Sequence, residues 1–539
     1  MFHNDSKLRL SKEEKIQGWS KVRDDAFTKY GLNRKQVEAL ERDAAFKLVW
    51  AWDGKEYDKS RAQYDPAYSE YPLVIGYAET PSHVEWLLRL SRLPDTPFPV
   101  SCRSGGHNTA GYSVLPGGVV IDMSLFSQIC ISPVAKIATV GPGMNFGKFN
   151  EVLDAYGLHT PGGDCQDVCI GGYMQGGGYG LTSREFGMNC DNVTEFTMMT
   201  YDLAGAHIVK ASPTHNQQLF WAVRGGTGNN FGVLLDVTYK LYPLGNLWGF
   251  GIKWMDLNNA PAALLAMQNG FMKTGASPKL GYMSVIMVQD GDPGPSLGMW
   301  GLFDGSEADG HAQLEPLLSL PGAELAYHKV SSYLDLDAHM FPNPNLPPGV
   351  TPPPPEVKQS AYIDKPIDLA GWTAIVKHFA TRLNDTSAVI LEPYGGAINS
   401  YSGDNAFIHR DVHMDFFVDS FFFKPEEWDA ANAWLDGYMK IVEPYSNGQQ
   451  YQNYPRRNTA NYPQAFWGDA YPALQQVKAQ YDPLNVFQFP MGIQLPAKPH
   501  LMARAAAMPA PAAPHPAEAA PVFEAHYEEY KKRRGPVKI

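Results

Sequence analysis

Three glycine-rich segments contain the residues of this chain that are best suited to chemistry. They are RSGGHN (103–108), TPGGDCQDVCIGGYMQGGGYG (160–180) and RGGTGNNFGVL (224–234). Glycine at this density removes side chains, so that backbone N–H groups can approach a ligand closely, most often one that carries phosphate. None of the three is a P-loop or a correctly spaced G-x-G-x-x-G turn. Together they predict one large, phosphate-containing cofactor touched at several points; the alternative is a set of tight turns in a β-rich domain.

The cysteines are odd in number and clustered in one stretch of the chain. They are Cys102, Cys130, Cys165, Cys169 and Cys190. Such a set, without a secretory signal, does not indicate a disulfide framework. No C-x-x-C pair or H-E-x-x-H motif accompanies them, so no metal site is predicted. Taken singly, each cysteine is explained as a small buried hydrophobic residue.

The apolar run HMDFFVDSFFF carries polar side chains on one face of a predicted strand. With a period of two, that face holds His413, Asp415, Phe417, Asp419 and Phe421. A histidine and two carboxylates on so apolar a strand are costly unless the face lines a cavity or finds partners. We therefore expect this face to line a cavity, and the alternative is a solvent-facing edge strand.

Composition limits the classes to which the protein can belong. The chain has 539 residues, 44% of them hydrophobic and 12% aromatic, enough for two or three packed domains. The net charge is −12 without a basic stripe, which argues against nucleic-acid binding. No run approaches the ~18–20 apolar residues that cross a bilayer. The charged amino terminus lacks the apolar core of a signal peptide, so a cytoplasmic protein is expected, with secretion as the alternative.

The elements that position these residues follow an alternating strand and helix pattern in the first half of the chain. A short strand at 73–75 leads into a helix that has Thr80 as its N-cap. Strands are also predicted within 117–124 and 135–143, and the pattern continues to about Tyr242. This half is therefore α+β or α/β in character.

After Pro243 the strand-like runs become longer. They are GYMSVIMVQD, SLGMWGLFDG, SAVILEPYGG and HMDFFVDSFFF, and helical patterns at 261–274 and 368–383 separate them. This arrangement predicts a mostly antiparallel sheet with helices on one side. The segment FPNPNLPPGVTPPPPEV (341–357) can join neither a helix nor a sheet ladder and is expected to be a polyproline-like loop.

Taken together, the glycine-rich segments resemble the FAD-linked oxidases of the berberine bridge enzyme-like group, in the vanillyl-alcohol-oxidase superfamily. FWAVRGGTGNNFGV, CDNV and the carboxy-terminal YQNY…FWGDAYPALQQVKAQYDPLNVFQF extend the resemblance. It covers residues 45–245 and 440–495 well, and the region between them only by pattern.

The resemblance implies an α+β fold in which a PCMH-type FAD-binding domain is built from both chain ends and an antiparallel-sheet substrate domain is flanked by helices. The expected parts are a helical extension (1–60), the FAD-binding domain (61–245), the substrate domain (246–440), a return to the FAD domain (441–497) and a flexible Ala/Pro-rich, charged tail (498–539).

The resemblance also implies that FAD is held by two covalent bonds. His107 would be joined to the flavin 8α-methyl and Cys165 to flavin C6; Cys169 departs from the family pattern and is the less favoured alternative to Cys165. The cofactor-binding residues implied are Arg103, Ser104, Gly105, Gly106, His107, Asn108, Cys165, Val168, Gly171, Gly172, Gly176, Gly177, Gly178, Tyr179, Gly180, Gly228, Asn230, Val233 and Asn453. A small residue at Val168 is associated with oxidases in this family, which favours dioxygen as the electron acceptor.

On the substrate side, Tyr451 of YQNYP matches the family tyrosine that faces the substrate. A phenol with a pKa of ~10 is a weak base and needs a partner. The family often has Glu or Gln near Phe417, which cannot act as a base, so Asp415 or Asp419 is expected to assist.

The predicted function is oxidation of an alcohol group on a carbohydrate or a glycosylated or phenolic metabolite, with hydrogen peroxide as product. The alternatives are a secondary-metabolite enzyme that performs oxidative cyclisation or desaturation, a dehydrogenase that uses another acceptor, and a flavin-binding protein without turnover. The expected partners are a small-molecule substrate and dioxygen, without nucleic acid or membrane.

Overall fold

The computed structural model describes residues 40, 42–51, 53–68, 70–92, 98–341, 344–348, 353–457 and 459–496. The tail expected over 498–539 and part of the proline-rich segment lie outside these ranges.

The first half of the chain forms two main sheets with short helices between their strands. Its strands are β1 (Leu48–Trp50), β2 (Val74–Tyr77), β3 (Val100–Arg103), β4 (Val119–Asp122), β5 (Ile129–Ser132), β6 (Ile137–Val140), β7 (Leu158–His159), β8 (Val193–Asp202), β9 (Gly205–Ala211), β10 (Val233–Lys240) and β11 (Tyr242–Pro243). Its helices are α1 (Lys55–Ser60), α2 (Pro81–Ser91), α3 (Phe146–Asp154), α4 (Ile170–Gln175), α5 (Ser183–Phe186) and α6 (Gln217–Val223).

The first sheet has the order β1-β2-β4-β3, in which β2, β4 and β3 are parallel and β1 is antiparallel to β2. The second sheet is antiparallel, with the order β5-β6-β10-β8-β9, and β7 pairs with β11. Strand β1 lies within the stretch that was expected to be a helical extension. Pairing with β2 overrides the helical tendency there, because it covers an otherwise open edge of the sheet.

The helix start predicted at Thr80 occurs where its cap indicated it, and a second helix is capped in the same way by Asn145. Thr80 Oγ1 accepts a hydrogen bond from His83 N at 3.3 Å, and Asn145 Oδ1 accepts one from Lys148 N at 2.8 Å. Each cap satisfies a backbone N–H that has no partner within its own helix.

The second half of the chain builds one large sheet and its covering helices. The strands are β12 (Leu247–Trp254), β13 (Leu280–Met287), β14 (Ser296–Phe303), β15 (Ala323–Ser331), β16 (Glu356–Ile363), β17 (Ala388–Pro393) and β18 (Met414–Phe421). The helices are α7 (Ala260–Phe271), α8 (Glu307–Leu318), α9 (Tyr333–His339), α10 (Leu369–Phe379), α11 (Trp428–Val442), α12 (Tyr462–Trp467) and α13 (Tyr471–Tyr481).

The large sheet is antiparallel throughout, with the order β15-β12-β14-β13-β17-β18-β16. One face packs against α7, α10 and α11 in a core that includes Phe416, Val418 and Trp372. The other face presents Met283, Ile390 and Phe417 to the first half of the chain. The sheet therefore covers the glycine-rich segments as a roof, and the expected α+β fold class is confirmed.

In this half, the sequence patterns predicted too few helices and made the proline-rich loop too long at its carboxyl end. Helices α8, α9, α11, α12 and α13 form in addition to the two that were expected at 261–274 and 368–383. Strand β16 begins at Glu356, inside the segment that was expected to be proline-rich loop, because Glu356 and the residues after it pair with β18.

Candidate active site

A cavity of about 410 Å³ lies between the glycine-rich segments and the roof sheet. Its walls come from the loop after β3, the segment that leads into α4, the loop before β10, the roof strands and the return at 451–455. The sequence placed these segments far apart, and the fold brings them to one site.

The cavity wall contains most of the residues that the sequence singled out. These are Ser104, Gly105, Gly106, His107, Asn108, Cys165, Val168, Gly171, Gly172, Tyr179, Gly228, Val233, Asn453, Tyr451 and Asp419. Seven others do not line it: Arg103, Gly176, Gly177, Gly178, Gly180, Asn230 and Asp415.

Arg103 is the clearest of these seven residues. Its Nε donates to Asp122 Oδ2 at 2.7 Å, and its Nη1 donates to Ser60 O at 2.7 Å. The guanidinium and the carboxylate are both buried, 7% and 3% exposed. Arg103 is thus a buried structural cation beneath the histidine loop and not a contact of the cavity.

Asn230 is also turned inward. Its Oδ1 accepts from Ile493 N and its Nδ2 donates to Gly226 O, so the side chain ties its loop to the carboxy-terminal return. The neighbouring Asn229 lines the cavity instead, with Oδ1 accepting from Cys102 N at 2.6 Å. A run of two asparagines gave no sequence signal that could distinguish them.

Several glycines act behind the wall by allowing close packing. A Cβ at Gly176 would lie 1.9 Å from Asn453 Oδ1, and one at Gly180 would lie 1.9 Å from Gly162 O. Gly178 has a φ of +82°, which glycine adopts without strain. These glycines shape the site from behind the cavity wall.

The histidine loop places an aromatic pair at the wall. The rings of Tyr64 and His107 are stacked, 4.4 Å apart at 27°. Burial is the main cause that lowers the pKa of His107, so the imidazole is neutral at neutral pH. A neutral imidazole has a free nitrogen lone pair and can act as a nucleophile.

Cys165 and Cys169 both line the cavity but face different surroundings. Cys165 lies within electrostatic range of Asp164 and Lys358, on the side of the roof. Cys169 Sγ is 3.0 Å from the position of a Cβ at Gly105 and contacts Gly143 O at 3.5 Å. Desolvation inside the cavity raises the pKa of each thiol to about 12, although Cys165 keeps an exposed surface there. All five cysteines are free thiols.

Tyr451 lies on the wall and is 1% exposed. Its Oη accepts hydrogen bonds from Gly178 N at 2.8 Å, Tyr179 N at 3.2 Å and Asn453 Nδ2 at 3.0 Å. Burial raises the pKa of this phenol, and the three donors oppose that effect. Three hydrogen-bond donors are more than a neutral phenol oxygen needs as an acceptor, and they suit the negatively charged oxygen of a phenolate.

The polar face of β18 divides between cavity and core. Asp419 lines the cavity, and its Oδ1 is 3.0 Å from Lys358 Nζ, the residue directly opposite on β16. Asp415 is fully buried and lies opposite Glu392 on β17. Asp415 is therefore not part of the described cavity wall, where its cross-strand neighbour Glu392 lies, and its role toward the substrate stays a prediction.

Glu392 is one of the wall residues that sequence reasoning missed. It lines the cavity, is 2% exposed, and its Oε1 accepts from Tyr454 Oη at 2.7 Å. The ring of Tyr454 lies 4.9 Å from that of Tyr451. Burial, followed by the charge of Asp415, raises the pKa of Glu392 well above its ordinary value. The available signal was a lone carboxylate in the apolar strand AVILEP.

The residues present fit a large, partly planar cofactor. A Cβ at Gly172 would meet nothing within 4 Å, so the backbone of α4 is open to the cavity at that point. The apolar side chains of Val168, Met283 and Ile390 and the backbone of the glycine loops share the same wall. This combination suits an aromatic ring system with a phosphate-bearing extension.

Nowhere in the described residues do three or more His, Cys, Asp or Glu side chains form a group that could hold a metal ion. None of the helices in those ranges has both the length and the apolarity to cross a membrane.

Comparison with known families agrees with this architecture. Residues 72–204 match the model of an FAD binding domain, and residues 450–494 match the model described as berberine and berberine like. These two matches coincide with the parts of the chain that form the lower wall of the cavity and its carboxy-terminal return.

Relatives extend the match to most of the chain. The uncharacterized FAD-linked oxidoreductase YvdP of Bacillus subtilis is 30% identical over 451 residues, which cover 81% of this chain and 95% of that protein. A carbohydrate oxidase of Microdochium nivale is 25% identical over 474 residues, 81% of this chain and 91% of that protein. The structure of Physcomitrella patens BBE-like 1 has a TM-score of 0.76 at 23% identity, covering 86% of this chain and 99% of that one.

The chain is therefore an FAD-linked oxidoreductase. It belongs to the berberine bridge enzyme-like family, with the α+β fold of that family.

Proposed function

We propose that this protein oxidises an alcohol group of a small carbohydrate, or of a glycosylated or phenolic metabolite, and reduces dioxygen to hydrogen peroxide. The observation that carries the proposal is the convergence of three hydrogen-bond donors on Tyr451 Oη at the cavity wall. An oxygen in that setting is prepared to hold negative charge, which a residue that accepts a hydroxyl proton must do.

Bound FAD would supply the two-electron acceptor for hydride from the substrate carbon and would pass the electrons to dioxygen. His107 and Cys165 would hold it through the 8α-methyl and C6. The neutral imidazole and the shared cavity wall support this double attachment.

Tyr451 takes the hydroxyl proton of the substrate in this proposal. At neutral pH its raised pKa leaves only a small fraction as phenolate, and that fraction grows tenfold for each pH unit. The donors from Gly178, Tyr179 and Asn453 keep the oxygen fixed and limit the cost of ionising it inside the protein.

The roof supplies the polar groups that orient the substrate. Glu392 holds Tyr454 beside Tyr451, and Lys358 pairs with Asp419 on the adjoining strands. Carboxyl, ammonium and phenol groups around one cavity suit a substrate with several hydroxyls, since such a substrate can satisfy buried donors and acceptors. Relatives named carbohydrate oxidase, xylooligosaccharide oxidase and chitooligosaccharide oxidase support this choice of substrate class.

Val168 supports dioxygen as the acceptor. It lies on the wall three residues after Cys165, and its side chain is small. We propose that it leaves room for dioxygen next to the cofactor.

The test is the reaction of the holoenzyme with a panel of sugars and alcohols, followed by loss of flavin absorbance and release of peroxide. Replacement of Tyr451 by Phe removes the proton acceptor and should slow flavin reduction by roughly 10²–10⁴-fold, with reoxidation nearly unchanged. In the unmodified protein the reduction rate should rise with pH through the alkaline range, and this rise should disappear in the Tyr451→Phe variant.

Tyr156→Phe is the matched control, since Tyr156 is 55% exposed and far from the described cavity wall. Reduction that is equally fast in Tyr451→Phe would contradict the role given to Tyr451. Reduction without peroxide in air would favour a dehydrogenase with a different acceptor.

A further inference from the structure

The segment that precedes β2 is fastened onto the histidine loop. Arg103 Nη1 donates to Ser60 O at 2.7 Å and to Ala62 O at 3.3 Å, while Arg103 is anchored on the buried Asp122. The five donors of an arginine form a rigid fork, so one side chain can hold both the carboxylate and the neighbouring backbone.

The same segment ends against the imidazole. Tyr64 N donates to Gly106 O at 3.0 Å, and the Tyr64 ring stacks on His107 with centroids 4.4 Å apart. Both rings line the cavity. The backbone bond at Gly106 and the Arg103 contacts therefore fix where the tyrosine ring lies, and the ring limits how the imidazole can turn.

We propose that Arg103 and Tyr64 form a clamp that holds the imidazole of His107 in the orientation from which it is joined to the flavin. Tyr64 is then a positioning residue that serves the maturation of the enzyme. The inference rests on the histidyl attachment proposed above.

The step itself balances with dioxygen as oxidant. A bond forms between an imidazole nitrogen of His107 and the 8α-carbon of the flavin. The 8α-carbon loses one hydrogen as a proton, and the imidazole N–H loses another. The electron pair left on the flavin passes to dioxygen, which takes up both protons and becomes hydrogen peroxide. The clamp contributes orientation, because a nucleophile held near its attack geometry pays less entropy at the transition state.

Burial lowers the pKa of His107 and supports this assignment, because a neutral nitrogen is required. The imidazole is stacked on Tyr64 and hydrogen-bonded to the backbone of Asp167, and these two contacts together limit how it can turn toward the cavity. The raised pKa of Tyr64, caused mainly by burial, keeps the phenol uncharged beside it.

The experiment follows covalent attachment of FAD to the full-length chain purified from riboflavin-starved cells. FAD is added in air, samples are denatured at intervals, and the flavin on the His107 and Cys165 peptides is measured separately by mass spectrometry. Tyr64→Phe retains the stacked ring, whereas Tyr64→Leu retains most of the bulk without it. Tyr68→Leu is the matched control, since Tyr68 is a buried tyrosine nearby whose ring meets Trp428 and not His107.

We expect Tyr64→Phe to attach flavin to the His107 peptide at the rate of the unmodified protein. Tyr64→Leu should be slower by roughly two- to tenfold, the range given by loss of one aromatic contact. Attachment to the Cys165 peptide should change less, so the amount of flavin-linked His107 peptide should fall relative to the flavin-linked Cys165 peptide. General destabilisation of the fold would instead slow the attachment of flavin to both peptides by the same factor.

Two results would overturn the inference while leaving the proposed attachment intact. One is an unchanged rate at His107 in Tyr64→Leu, and the other is an equal loss in Tyr68→Leu. Absence of flavin on the His107 peptide of the unmodified protein would overturn both the histidyl attachment and the clamp.

Discussion

At the scale of single residues, two carboxylates of β18 show how position on a strand can mislead. Asp415 and Asp419 share a face by the period of two, yet only Asp419 lines the cavity. Asp415 is covered by its cross-strand neighbours Glu392 and Tyr362. Burial raises the pKa of Asp415 to about 8. A buried carboxyl group of this kind remains protonated and links stability to pH.

The sign of this link follows from the two pKa values. Between pH ~4 and ~8 the unfolded chain releases the Asp415 proton while the folded protein keeps it. Stability from this group is complete below the unfolded pKa and is lost as pH rises to about 8, by ~1.4 kcal/mol per pH unit at most. We expect Asp415→Asn to flatten the fall in denaturation midpoint from pH 5 to pH 8. The exposed Asp290→Asn is the control, and equal slopes in both variants would contradict the prediction.

At the scale of elements, helix α4 has no side chain at Gly172, and its backbone is therefore open to the cavity at that position. Gly172 has no positive φ and no neighbour within 4 Å of an added Cβ, so the protein alone does not require glycine there. Its exposed side faces the cavity. Space for the cofactor is the remaining reason for a residue that weakens the helix.

Gly172→Ala should therefore separate folding from cofactor binding. Alanine in a helix should stabilise the flavin-free protein by about 0.5–1 kcal/mol, while the new methyl group should lower FAD content. Gly270→Ala in α7 is the matched control, since Gly270 also has open space around it but lies outside the cavity wall. Denaturation curves and the flavin-to-protein absorbance ratio measure both effects. Full FAD content in Gly172→Ala would show that the cofactor does not use this space.

At the scale of the whole molecule, one buried ion pair joins segments that are distant in sequence. Lys478 and Asp482 of the carboxy-terminal return are both 0% exposed and 2.7 Å apart. Lys478 Nζ also donates to Asn230 O at 2.7 Å, and Asp482 accepts from Val486 N at 2.7 Å. The pair thereby fastens the third glycine-rich loop to the carboxy-terminal return.

Lys478→Met should leave Asp482 as an unpaired buried carboxylate and destabilise the protein by about 3–5 kcal/mol. Replacement of both partners, Lys478→Met with Asp482→Leu, should recover part of the loss because no isolated charge remains. The exposed Lys440→Met serves as control, and denaturant unfolding is the measurement. A loss below 1 kcal/mol in Lys478→Met would mean that water reaches the pair.

The sequence was most informative where chemistry depends on local pattern. Glycine density predicted the close-approach loops, Thr80 predicted a helix start, and RSGGH together with Tyr451 indicated a flavin site. These signals are local because caps, turns and backbone access depend on a few adjacent residues.

Only the tertiary structure decided which side chains reach the cavity. It left Arg103, Asn230 and Asp415 out of the wall and brought Glu392 and Tyr64 to it. A strand period specifies a face, but it does not specify what the neighbouring strands place over that face. The sequence by itself therefore determined the family and its cofactor loops. Strand pairing and burial between distant segments decided which side chains line the site.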